Sequence, residues 1–249
     1  MRVTLPTLSA VVAALLLVLT SCSGVPALEV INAGGDGPPT LILLHGFGSS
    51  ANEWMPFTQT IEWPRPGRFV FPQGPETTEP PAGPIGGRAW WPLELRAFIS
   101  PGGALPDLSR TRPPGLKPAA DAVVALLKHL SRRPGGPLVL GGFSQGAMVA
   151  SEVTYRTNVP LAGLVLLSGT LVDEQSWQSA YGRRRGLPVF IAHGRADPVL
   201  PFSGSDRMQR ELAAAGNRVT WHPFEGRHEI PAEVVVALNQ FLRDLRQTF

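Results

Sequence analysis

The chain has 249 residues, enough for one ordinary globular domain with a sizeable core. Hydrophobic residues make up 43% of it and charged residues 16%, which excludes an intrinsically disordered chain. The formal net charge of +3 is small, and the basic residues are scattered apart from Arg183, Arg184 and Arg185. That run reads as a solvated loop face, so no nucleic-acid partner is expected.

The N-terminus has the pattern of a targeting segment. Arg2 supplies a short positive region, and residues 8–20 form an almost unbroken apolar run. A bilayer span needs about 20 residues, so the run is too short to cross one but suits a secretory signal. It ends in Leu19-Thr20-Ser21-Cys22, which resembles the lipobox of bacterial lipoproteins, where the cysteine is acylated after cleavage. Cys22 is the only cysteine. The expected organisation is a leader over 1–21, a short linker over 22–36, and one domain over 37–249. Lipidation at Cys22 would anchor the protein to a membrane of the bacterial envelope.

From there the chain alternates between strand and helix patterns. Residues 40–44 are a short apolar run after Gly-Asp-Gly-Pro-Pro and read as a buried strand, with 68–71 as the next. Residues 72–117, rich in Pro and Gly, read as irregular loop. A helix is expected over 118–130, a strand over 138–140 and a small-residue helix over 145–155. Strands follow over 161–167 and 188–192, then a helix over 206–215 with Asp206 as its cap. A strand over 219–224 and a helix over 232–245 close the chain. Alternation of this kind implies a mostly parallel sheet covered on both faces. The short stretch between Ser168 and Pro188 leaves no room for a large cap domain.

The chemistry begins at Gly142-Phe143-Ser144-Gln145-Gly146, a G-x-S-x-G between an expected strand and an expected helix. Serine is a weak nucleophile unless it is exposed and paired with a base, and a tight strand-to-helix turn presents its hydroxyl above the sheet. An α/β-hydrolase then needs an acid and a histidine, in that order, on loops after later strands. Asp197, in His193-Gly194-Arg195-Ala196-Asp197-Pro198, and His228, in Glu225-Gly226-Arg227-His228-Glu229, meet that requirement. Asp173 is the fallback acid, since it also follows a strand. His193 precedes the acid and is expected to make a structural hydrogen bond; His222 falls within a strand and His129 on a helix. The loop Leu44-His45-Gly46-Phe47-Gly48 would supply the N–H of Phe47 as one oxyanion donor, with that of Gln145 as the other. No cofactor is expected. No H-E-x-x-H or comparable spacing occurs, so no metal is expected either.

Together these segments resemble the phospholipase/carboxylesterase family, which includes the acyl-protein thioesterases. The resemblance runs from Leu41 to the C-terminus. It rests on Leu44-His45-Gly46-Phe47-Gly48, Gly141-Gly142-Phe143-Ser144-Gln145-Gly146, Leu167-Ser168-Gly169, His193-Gly194-Arg195-Ala196-Asp197-Pro198-Val199-Leu200-Pro201 and Gly226-Arg227-His228-Glu229-Ile230-Pro231. It implies an α/β-hydrolase with nucleophile, acid and base at Ser144, Asp197 and His228, acting on esters or thioesters. It also implies an acyl site walled by Trp90-Trp91-Pro92; Trp54 and Phe57 are further expected pocket aromatics. Ala147 stands where the family often has a second glycine. A lysophospholipase, a polyester depolymerase and an inactive hydrolase-fold binding protein are the alternatives.

Overall fold

The computed structural model describes residues 27–80, 85–93, 107–132 and 136–247; Cys22 and the apolar run before it lie outside them. Nine strands are seen among the described residues: β1 Val30–Gly34, β2 Gly37–Leu44, β3 Gly67–Pro72, β4 Glu76–Thr78, β5 Gly87–Ala89, β6 Leu138–Phe143, β7 Gly163–Leu167, β8 Pro188–Gly194 and β9 Arg218–Phe224. The helices are α1 Leu116–Ser131, α2 Gln145–Arg156, α3 Glu174–Tyr181, α4 Phe202–Ala214 and α5 Ala232–Arg246. Seven strands form one sheet in the order β1-β3-β2-β6-β7-β8-β9. Only β1 runs antiparallel to its neighbour within it.

The sheet is apolar on both faces because its central strands are continuous hydrophobic runs whose side chains alternate. Ile42, Leu44, Leu140, Leu164, Leu166, Val189 and Ile191 face a core shared with α1, α2, α3 and α4. Leu41, Leu43, Val139, Val165, Leu167, Phe190 and Ala192 face the other, where α5 packs Val234, Leu238, Phe241 and Leu242. This is the period-two alternation of a strand buried on both sides. Each fully buried aliphatic side chain contributes about 1.5–3 kcal/mol relative to its exposed state. Helix α2 is buried from Gln145 to Tyr155, which explains its small residues Gly146, Ala147, Ala150 and Ser151. Strand β9 lies at the sheet edge, the position that tolerates Pro223 within a strand.

Three local expectations are corrected, and one helix, α3, is an element the sequence pattern does not show. The stretch 22–36, read as linker, contains β1, which is short and carries only Val30 as a fully buried strand residue. The segment 72–117 contains the antiparallel pair β4–β5, whose three-residue strands are too short to show a period. Helix α3 buries only Trp177, Ala180 and Tyr181, one face of two turns. Asp206 lies inside α4, where it pairs with Arg210 one turn later, and is not its cap. The arginine run is also divided in its roles. Arg183 and Arg185 are exposed, whereas Arg184 is half-buried. It donates to the carbonyls of Thr154 (2.8 Å) and Thr157 (2.7 Å), closing the C-terminal end of α2.

Candidate active site

Ser144 occupies the sharp turn from β6 into α2, with φ 54° and ψ −118°. A non-glycine residue there is strained, and the surroundings hold it. Its N–H donates to the carbonyl of Leu167 on the neighbouring strand (2.9 Å). The flanking glycines are dictated by contact: a Cβ on Gly142 would lie 2.4 Å from the Gly146 carbonyl carbon, and one on Gly146 would lie 2.2 Å from the Leu44 oxygen. Both obstacles are backbone and cannot give way. The motif is therefore a packing solution that lifts one hydroxyl to the rim of the sheet.

The loops after β8 and β9 bring the partners. Gly194 sits so close to the β9 loop that a Cβ would meet the Arg227 oxygen at 2.2 Å. The N–H groups of Arg195 and Ala196 donate to the carbonyls of Phe224 (2.9 Å) and Gly226 (3.0 Å), stitching the two loops together. In consequence Ser144 Oγ stands 2.9 Å from His228 Nε2, and His228 Nδ1 stands 2.7 Å from Asp197 Oδ2. With Nδ1–H donating to the carboxylate, Nε2 is left as the acceptor for the serine proton. The ring of Phe143 packs against that imidazole at 4.8 Å between centroids.

Asp197 is held from every side. Its side chain is fully buried, and Oδ1 accepts the N–H groups of Val199 (2.8 Å) and Leu200 (2.9 Å). His193, read from sequence as making a structural hydrogen bond, places Nε2 3.2 Å from Asp197 Oδ2 and 3.0 Å from the Leu200 carbonyl. Its Nδ1 meets Ser205 Oγ at 2.7 Å. Burial works to raise the Asp197 pKa. Hydrogen bonds from His193 and His228, the nearby His228 charge and the Leu200 N–H outweigh it, and the carboxyl is held well below its ordinary range. The contact with His193 is what sequence reasoning missed, although the four-residue spacing from His193 to Asp197 across one loop was its signal. Asp173, the fallback acid, accepts from Arg112 (2.8 Å) and turns into α3. It belongs to a different network with Glu152, which also accepts the Trp177 indole N–H at 2.6 Å.

Beside the serine lies the loop after β2. A Cβ on Gly46 would be 3.4 Å from the Ser144 Cβ, so this backbone rests directly against the turn. Phe47 follows it, and Gln145 is the first residue of α2, whose N–H has no intrahelical acceptor. A cavity of about 260 Å³ opens here, with His45, Gly46, Glu53, Trp54, Phe143 and Ile230 among its walls. Trp54 is among its walls, and Phe57 packs edge-on against Trp54 at 5.0 Å. Trp90 and Trp91 do not line it. They are 1% and 2% exposed, buried in the core on the α1 and α2 side of the sheet. The family resemblance implies that they wall the acyl site, but their backbone is drawn inward by the Gln145 side chain. Among the described residues no three His, Cys, Asp or Glu side chains cluster so as to hold a metal ion.

The sheet order and the Ser-His-Asp line define an α/β-hydrolase of the serine type. The chain belongs to the phospholipase/carboxylesterase family, whose sequence profile matches residues 26–246. It is 29% identical over 199 residues to acyl-protein thioesterase 1 of Yarrowia lipolytica, covering 75% of this chain and 82% of that protein. Among solved structures it resembles esterase PE8, with a TM-score of 0.74 and 26% identity over 88% of this chain and 99% of that one. Acyl-protein thioesterase 2 of Zea mays shares the fold, with a TM-score of 0.70 and 21% identity over 87% and 98% of the two chains.

Proposed function

We propose that this protein hydrolyses carboxylic esters or thioesters through an acyl-enzyme on Ser144. The observation that carries the reading is the unbroken hydrogen-bonded line from Ser144 Oγ through His228 to Asp197, beside a cavity. His228 takes the serine proton as the hydroxyl attacks the carbonyl carbon, and Asp197 orients the ring and stabilises the imidazolium. The N–H groups of Phe47 and Gln145 receive the oxyanion; losing one such donor costs about 100- to 1,000-fold in turnover. His228 then protonates the leaving alcohol or thiol, and water, deprotonated by the same ring, releases the acid. Similarity to proteins called esterase and acyl-protein thioesterase supports both bond types as substrates.

The cavity is small for a ligand site, and its size supports a short acyl group. Purified protein should cleave p-nitrophenyl acetate, and Ser144→Ala should lower that turnover by about 10,000-fold or more; a variant as active as the native enzyme would end the reading. The sequence further supports an envelope lipoprotein anchored through Cys22, on the strength of Arg2, the apolar run 8–20 and Leu19-Thr20-Ser21-Cys22. Expressed in a bacterium fed alkyne-tagged palmitate, the full chain should take up label and Cys22→Ala should not. Label retained by the variant would refute the anchor.

A further inference from the structure

The oxyanion hole needs two N–H groups from separate parts of the chain, one on the loop after β2 and one at the start of α2, at a fixed spacing. Gln145 contributes more than its N–H. Its side chain is 1% exposed and turned away from solvent. Oε1 accepts the N–H of Trp90 and Nε2 donates to the carbonyl of Trp91, each at 2.9 Å. This two-point pairing locks the 90–91 backbone onto the first turn of α2. Trp90 passes the constraint on: its indole Nε1–H donates to the carbonyl of His45 at 2.8 Å, and its ring lies 5.4 Å from the His45 ring.

His45 is the residue from which the oxyanion loop springs. Its Nε2 accepts the Gly74 N–H (2.9 Å), which leaves Nδ1–H to donate to the Gly46 carbonyl (2.8 Å), and burial lowers the pKa of the ring in the same sense. The circuit closes where it began, since a Cβ on Gly146 would lie 2.6 Å from the same His45 oxygen that the Trp90 indole holds. Two segments some hundred residues apart in sequence are thus tied by three buried side chains, each about 1% exposed.

We propose that the Gln145 carboxamide and the Trp90 indole are positioning groups that set the spacing of the Phe47 and Gln145 oxyanion donors. The proposal rests on the hydrolase reading above. Positioning is distinct from merely filling the core. A structural role alone predicts lower stability with kcat intact, whereas misplaced donors weaken the transition state and leave ground-state binding largely unchanged. An error of about 1 Å in such geometry can cost about 100-fold.

The test uses Gln145→Met, which keeps the backbone N–H and side-chain length, and Trp90→Phe, which keeps a ring but removes the donor. Kinetics on p-nitrophenyl acetate and inhibition by a trifluoromethyl ketone, which forms a tetrahedral oxyanion on the serine, are measured beside thermal unfolding. Each variant should lose about 10- to 100-fold in kcat with KM within about threefold. Affinity for the ketone should fall by the same factor as kcat. The double variant should lose less than the product of the two single losses, because both loosen one circuit. Folded variants with native kcat, or with a lowered Tm and unchanged ketone affinity, would overturn the proposal. Should Gln145→Met not fold, Trp90→Phe decides alone. A native enzyme with no Ser144-dependent turnover would instead bring down the hydrolase reading, and this proposal with it.

Discussion

Ser144 and Ser168 end neighbouring parallel strands in nearly the same way. Both have positive φ, 54° and 46°, and the N–H of each donates to a carbonyl one strand further on, Leu167 at 2.9 Å and Ala192 at 2.8 Å. Both are buried and each has a glycine close by in sequence. Their surroundings then part. Ser144 opens a helix and faces an imidazole nitrogen, whereas Ser168 Oγ is directed at the Glu229 carbonyl, 3.5 Å away. A carbonyl can accept a hydrogen bond but cannot take up the proton, so Ser168 has no base. Backbone strain at a strand end presents a hydroxyl; the group opposite decides whether it can act.

The sharpest way to break this comparison is to remove each hydroxyl in turn. Ser144→Ala should lower kcat on p-nitrophenyl acetate by about 10,000-fold or more, while Ser168→Ala should stay within about threefold. Equal losses would show that the strained turn, and not the base, is what matters. The two aspartates extend the contrast. Asp197→Asn forces the wrong imidazole tautomer and should cost about 10,000-fold in kcat. Asp173→Asn breaks a partly exposed ion pair with Arg112 and should leave kcat intact, with a stability loss of about 1 kcal/mol or less in chemical denaturation.

Acidification sharpens the same distinction without touching turnover. The folded-state pKa of Asp197 is depressed, so the unfolded chain takes up a proton there more readily than the folded one. The stability this group contributes is therefore fully present above the ordinary carboxyl value of 3.8 and is lost as pH falls below it. Thermal unfolding followed from about pH 5 down to about pH 2 should fall less steeply for Asp197→Asn than for the native chain. Parallel curves would contradict the assigned network. The glycines near the two serines carry the comparison into packing. Gly146→Ala would press a Cβ to 2.2 Å from the Leu44 carbonyl oxygen and should cost about 3 kcal/mol. Gly169→Ala meets the Ala147 Cβ at 2.9 Å, a shallower overlap than the 2.2 Å one, and should cost less, about 1–2 kcal/mol in the same denaturant titration.

Much of the sheet was legible because its central strands are unbroken apolar runs ending at glycine or at a polar loop, as at Gly163–Leu167 and Pro188–Gly194. The order serine, acid, histidine was legible for the same reason: each follows a readable strand. What stayed hidden depends on partners distant in sequence. Strand β1 exists because five of its residues pair with β3, although its own pattern is weak. Trp90 and Trp91 could not be placed from composition, since the Gln145 amide that draws them inward lies over 50 residues later. The order of His193 and Asp197 along the chain says nothing of the 3.2 Å that separates their side chains.

The central claim, that Ser144 alone among the strand-end serines is activated by His228, is tested most directly by covalent labelling. The protein is treated with a fluorophosphonate, digested, and its peptides mapped by mass spectrometry. The adduct should sit on Ser144, be absent from Ser168, and disappear from the His228→Ala variant. An adduct on Ser168, or undiminished labelling of Ser144 without His228, would contradict the account.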